Sequence, residues 1–140
     1  MGKILIKLSL FVVPLVIIFI FKIDYSSFSN IDNILLGSIA LSSAAMGFFI
    51  AGVAIMQTSN FSRFYKALTD LGTDKKIMSW LMTSIGYMFF LASFSLVGLF
   101  LVLHISGIVI IFLNIWLAFL CASLLSTLFI ILIFAIVFTK

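Results

Sequence analysis

Glutamate is absent from this chain, and proline, cysteine and histidine each occur once. Charged residues fill only 9% of the 140 positions. Each shortage excludes something. A single cysteine, Cys121, rules out an intramolecular disulfide and a multi-cysteine metal site. A single histidine, His104, is a poor start for a metal centre; it reads as an interface residue in a turn, with pH sensing as the sharper alternative. The four acids are Asp24, Asp32, Asp70 and Asp74, and each sits in a polar segment between apolar runs. The chain therefore lacks the intramembrane carboxylate that ion-coupled transporters use. It also lacks the internal repeat of many transporters. No His-x-x-Glu-His, CxxC or GxGxxG pattern occurs. Ser42 and Ser43 have no histidine or aspartate nearby in sequence to activate them. Hydroxyls in apolar helices more often bond a preceding carbonyl or a neighbouring helix. The expectation is a protein that is not an enzyme, with no catalytic residue, no metal and no cofactor.

What the chain does have is apolar surface. It is 65% hydrophobic, with a mean hydropathy of +1.44, whereas a soluble domain is about 45–50% apolar. A core of this size cannot hide so much, so lipid is the expected solvent. The fold class that follows is all-α: an integral membrane four-transmembrane-helix bundle, with a short cytoplasmic amphipathic helix between helices two and three. One transmembrane domain spans 1–140, with helices at about 4–22, 33–57, 77–104 and 107–138.

The first apolar run, Ile4 to Phe21, follows Lys3 and has Lys7 one turn inside it. A signal peptide would also start this way. KIDYSSFSN follows instead of an A-x-A-like cleavage site, so the run reads as a retained helix. Lys7 is expected to snorkel to the headgroups, and Pro14 to kink the helix. Asn30, Asp32 or Asn33 can cap helix two. Trp80 reads as an interface anchor of helix three. Asn114 and Trp116 read as the place where helix four enters the apolar zone. Helix four exceeds 30 residues, about 48 Å against a hydrocarbon core of about 30 Å, so it must tilt, bend or project.

Two features stand out. Gly37, Ala40, Ala44, Gly47, Ala51 and Ala54 occupy alternating three- and four-residue steps on helix two, forming one seam of small residues. Such a seam lets another backbone approach closely in lipid. It either receives helix three or four of the same subunit or joins subunits. Ala118, Ala122 and Ser126 make a second small row on helix four. The other feature is the polar segment 58–76. There Phe61, Phe64, Tyr65, Leu68 and Leu71 form an amphipathic stripe, opposite Arg63, Lys66, Thr69 and Asp70. Phe61, Arg63, Phe64, Tyr65, Lys66, Lys75 and Lys76 are the candidate contacts for lipid or for a cytoplasmic protein partner.

Orientation follows from the cations. With the N-terminus inside, the inside collects Lys3, Lys7, Arg63, Lys66, Lys75, Lys76 and Lys140, and the outside keeps Lys22. Both termini are then cytoplasmic. The net charge of +4 sits at membrane edges, so direct nucleic-acid binding is not expected. A single four-helix bundle has little room for a pore, so conduction would require a homo-oligomer.

From Gly37 to Leu101 the order of features is a small-residue-rich helix ending in FFIAGVAIMQTS, a basic segment NFSRFYKALTDLG, then a long aromatic-rich helix. This resembles small four-helix inner-membrane proteins of bacterial phage defence, such as RexB-type exclusion proteins and the membrane subunit of Kiwa-type systems. The likeness covers under half of the chain. It implies a bacterial inner-membrane protein that answers infection, either as a pore or as the membrane sensor or anchor of a cytoplasmic partner docked on 58–76. The alternatives are an accessory or scaffold subunit of another membrane complex, and a holin-like or small-solute channel.

Overall fold

The computed structural model describes residues 2–23, 25, 30–58, 74–102 and 106–138. They form four helices: α1 (Gly2–Phe21), α2 (Ile31–Thr58), α3 (Asp74–Leu101) and α4 (Gly107–Phe138). No strand occurs among the described residues. Three stretches are long and apolar enough to cross a membrane: Ile31–Ile55, Lys75–Leu101 and Gly107–Ile133. The apolar part of α1, Leu5–Phe21, is shorter. The amphipathic stripe of 61–71 lies outside the described residues, as do Arg63, Lys66, His104 and Lys140.

Helix ends follow local chemistry. α1 runs through Pro14 and stops at Lys22, whose φ of 45° is left-handed. A residue in that conformation breaks the helical ladder. Asn30 then precedes α2, and its carbonyl accepts from Ile34 N–H at 3.2 Å, closing the first turn.

The packing repeats every 3.5 residues. On α3 the buried positions are Ile77, Leu81, Ser84, Met88, Leu91, Ser95 and Gly98, which is the spacing of helices crossing at about +20°. α2 buries Ile31, Leu35, Ser38, Ser42, Phe49 and Val53 and packs on α3. α3 in turn packs on α4, and α4 on α1. α4 is the most enclosed of the three long helices. At Gly98 α2 approaches closely: a Cβ there would lie 3.1 Å from Leu35 Cδ2.

Two apolar clusters divide the bundle. One, near the start of α3, gathers Phe49, Val53, Ile77, Leu81, Met88 and Ile130. The other, near the start of α2, gathers Tyr25, Ile31, Leu35, Leu91, Val109, Leu113 and Trp116. Between α1, α3 and α4 lies Phe119. Its ring centroid is 4.5 Å from that of Phe11, 5.1 Å from Phe94 and 5.6 Å from Phe90. Rings at such separations attract through offset and tilted contacts, so one side chain ties three helices together.

Candidate functional site

The small residues of α2 take an unexpected position. Gly37, Ala40, Ala44, Gly47, Ala51 and Ala54 are all exposed. The face that α2 buries is the opposite one, about 180° away at 3.6 residues per turn. A Cβ added at Gly37, Gly47 or Gly52 would meet nothing within 4 Å. Of the two readings of the seam, packing on helix three or four of its own subunit is not the one seen here, since all six positions are exposed. The physical reason lies in the other face: Ile31, Leu35, Phe49 and Val53 offer more apolar area to α3, and burial follows area. The seam is left as a shallow trough. Bulky exposed residues, among them Leu41, Phe48 and Ile55, stand beside it.

The second small row behaves differently. Ala118, Ala122 and Ser126 have no exposed surface. Ser126 shares a hydrogen bond with Ser84 of α3. Ser123 and Thr127 turn their hydroxyls back to the carbonyls of Leu120 and Ser123, each at 2.8 Å. Ser42 likewise donates to the carbonyl of Ser38 at 2.6 Å. These hydroxyls satisfy themselves inside or between helices, as buried polar groups must.

Two residues have a role the sequence did not suggest. Asn114 and Trp116 are both buried. The Tyr25 hydroxyl donates to Asn114 Oδ1 at 2.7 Å. The indole N–H of Trp116 donates to Ser95 Oγ at 2.7 Å, and Ser95 donates on to the Leu91 carbonyl. Both polar tips point inward because partners on the connection before α2 and on α3 meet them. The asparagine amide nitrogen makes no hydrogen bond among the described residues. Tyr25 lies outside the membrane-length segments, and burial pushes its phenol from 10 up to about 12.

At the other end Lys7 departs from a simple snorkel. Its ammonium donates to the carbonyl and the hydroxyl of Ser79, at 2.8 and 2.6 Å. It also sits 5.5 Å from the Trp80 ring centroid, within cation–π range. Trp80 stacks on Phe129 at 5.6 Å, and Tyr87 donates to the Lys7 carbonyl at 2.7 Å. Lys7 thus ties α1 to α3. Lys75 and Lys76 are exposed in the first turn of α3, while Phe61, Phe64 and Tyr65 lie outside the described residues.

Among the described residues no group of three or more histidine, cysteine or acidic side chains could hold a metal ion. Cys121 is free and half-buried. Among the described residues the arrangement offers packing surfaces and interhelical hydrogen bonds. No family model, curated protein or solved structure matches the chain.

Proposed function

We propose that this chain is a multi-pass protein of the bacterial inner membrane that works as a homo-oligomer, its copies joined along the small-residue face of α2. The observation that carries this reading is the exposure of Ala40, Ala44, Gly47 and Ala51 on a helix of membrane-crossing length. Without a hydrophobic drive between helices in lipid, close backbone approach is the main source of association. A trough of small residues supplies it.

In this reading α1 also crosses. Its 17-residue apolar stretch Leu5–Phe21 is about 25 Å long, at the short end of the range of about 17–25 residues that can span, with the bilayer thinning locally to meet it. Four crossings leave both ends cytoplasmic and keep the basic residues inside. The feature order from Gly37 to Leu101, which resembles that of phage-exclusion proteins, supports the biological setting of this reading: an antiphage pore or a membrane sensor, with 58–76 as the contact for a cytoplasmic partner. No enzymatic step belongs to this reading.

The deciding experiment is on assembly. Ala44→Leu and Gly47→Leu should each abolish the larger species in detergent gel filtration and leave a folded monomer. An unchanged elution volume for both variants refutes the α2 interface. Ion flux through reconstituted vesicles, with and without a co-purified partner, then separates pore from anchor. Loss of that partner on changing Arg63 and Lys66 to Asp would support the docking segment.

A further inference from the structure

A second surface, between α1 and α4, has a different character. Between α1 and α4 runs an open cleft of about 670 Å³, inside the range of about 300–1,000 Å³ typical of ligand sites. Its walls include Leu10, Val13 and Ile17 of α1 and Leu124, Leu125 and Phe129 of α4. On α1 it extends from Ile6 to Ile18, about 18 Å at the helical rise. The polar side chains on it are Ser9 and Cys121, and Ser9 already donates to the Ile6 carbonyl at 2.7 Å. The cleft therefore asks for a long, apolar, unbranched occupant.

What stands at its end selects the occupant further. The Phe129 end of the wall stacks on Trp80, and Lys7 lies over the same indole. An ammonium has three donors, and Lys7 uses two, both on Ser79. No carboxylate pairs with it among the described residues. A cation with an open donor at the end of an apolar groove complements an anionic headgroup attached to an acyl chain. A second protein helix fits poorly, since branched residues such as Val13, Ile17, Leu124 and Leu125 line this groove, and close helix contact in lipid favours small ones.

We propose that the α1–α4 cleft is a binding site for one anionic phospholipid, an acyl chain lying along Leu10–Ile17 and the phosphate on Lys7. The proposal rests on the membrane reading and is independent of the α2 interface.

Native mass spectrometry tests it. The full-length protein is extracted from membranes and offered phosphatidylglycerol and phosphatidylcholine of matched chains. Wild type should retain phosphatidylglycerol about fivefold better, the ratio expected for one basic side chain near an anionic group. Lys7→Gln should bring that ratio close to one while some lipid is still held. Val13→Trp should lower retention of both lipids, because Val13 is largely exposed and a larger side chain there fills the groove without entering the core. Ile17→Trp, one turn on, repeats the test should the first variant fail to fold. Equal retention of the two lipids by wild type overturns the proposal. So does a preference unchanged by Lys7→Gln, or retention unchanged by the groove-filling variants. Protein recovered in the soluble fraction before extraction refutes the membrane reading as well, which separates the two failures.

Discussion

Ala118, Ala122 and Ser126 on α4 and Ala40, Ala44, Gly47 and Ala51 on α2 are both rows of small residues, yet the first is enclosed and the second open. α4 has helices on two sides, α3 and α1, and its small row lets α3 come near enough for Ser84 to reach Ser126. α2 has one main neighbour, α3, and gives it Leu35, Phe49 and other large residues instead. Small residues permit close approach; they do not summon a partner. The number of neighbours and the size of the competing face decide which row is used inside the subunit.

The largest effect should come from filling the enclosed row. Ala122→Leu puts a branched side chain where no surface is exposed, and overpacking of this kind costs about 1–3 kcal/mol. Thermal unfolding in detergent should show a clear drop. Ala44→Leu, of the same chemistry on α2, should leave the monomer's unfolding temperature nearly unchanged. Equal losses for both would mean that the α2 row is internal too, and the contrast would collapse.

Next is Tyr25→Phe, which leaves Asn114 buried without its hydroxyl partner; an unmet buried polar group costs about 1–3 kcal/mol. This variant also has a pH signature. The folded phenol holds its proton up to about 12, against 10 for an ordinary tyrosine. As pH rises the unfolded chain releases its proton first, so unfolding gains from alkali. The wild-type contribution is intact below about 10 and is lost as pH climbs toward 12. Unfolding temperature measured across that window should fall more steeply for wild type than for Tyr25→Phe. Parallel curves would show that the phenol is not shielded.

Ser84→Ala removes the hydrogen bond from the enclosed row itself. Interhelical bonds of this kind average about 0.6 and reach about 1.7 kcal/mol in a membrane protein. Ser43→Ala, on the exposed side of α2, should do nothing measurable. Urea or detergent unfolding of the pair gives the comparison directly.

Much of the fold was legible because apolar runs and their breaks are local signals. Helix ends at Phe21, Ile31 and Gly107 sit close to where Lys22, Asn30 and the Ser106–Gly107 pair interrupt the runs. The destinations of polar tips were not legible. Asn114 and Trp116 read as boundary residues because both types are common at membrane interfaces, yet each turns inward to a partner distant in sequence, Tyr25 and Ser95. Lys7 read as a free snorkelling cation because Ser79 is 72 residues away. The small residues of α2 share one face, and that face is exposed; which way it turns was left open by the sequence, since periodicity gives the faces of a helix and does not say which of two apolar faces turns inward.

The last comparison tests that point with a single methyl group. Gly→Ala in a helix interior gains about 0.5–1 kcal/mol when the new Cβ meets nothing, because the unfolded chain loses freedom. At Gly47 nothing lies within 4 Å, so the monomer of Gly47→Ala should unfold slightly later than wild type. At Gly98 the same methyl would stand 3.1 Å from Leu35 Cδ2 and 3.5 Å from Phe112 Cε1. The leucine end must shift there, which offsets the gain, and Gly98→Ala should fall below Gly47→Ala. If assembly uses the α2 trough, Gly47→Ala should also weaken the oligomer while steadying the monomer, because the added methyl stands between approaching backbones. A monomer and an oligomer moving in opposite directions is an outcome that neither a lipid-facing α2 row nor an internal one produces. Sedimentation equilibrium beside thermal unfolding reads both numbers from the same sample.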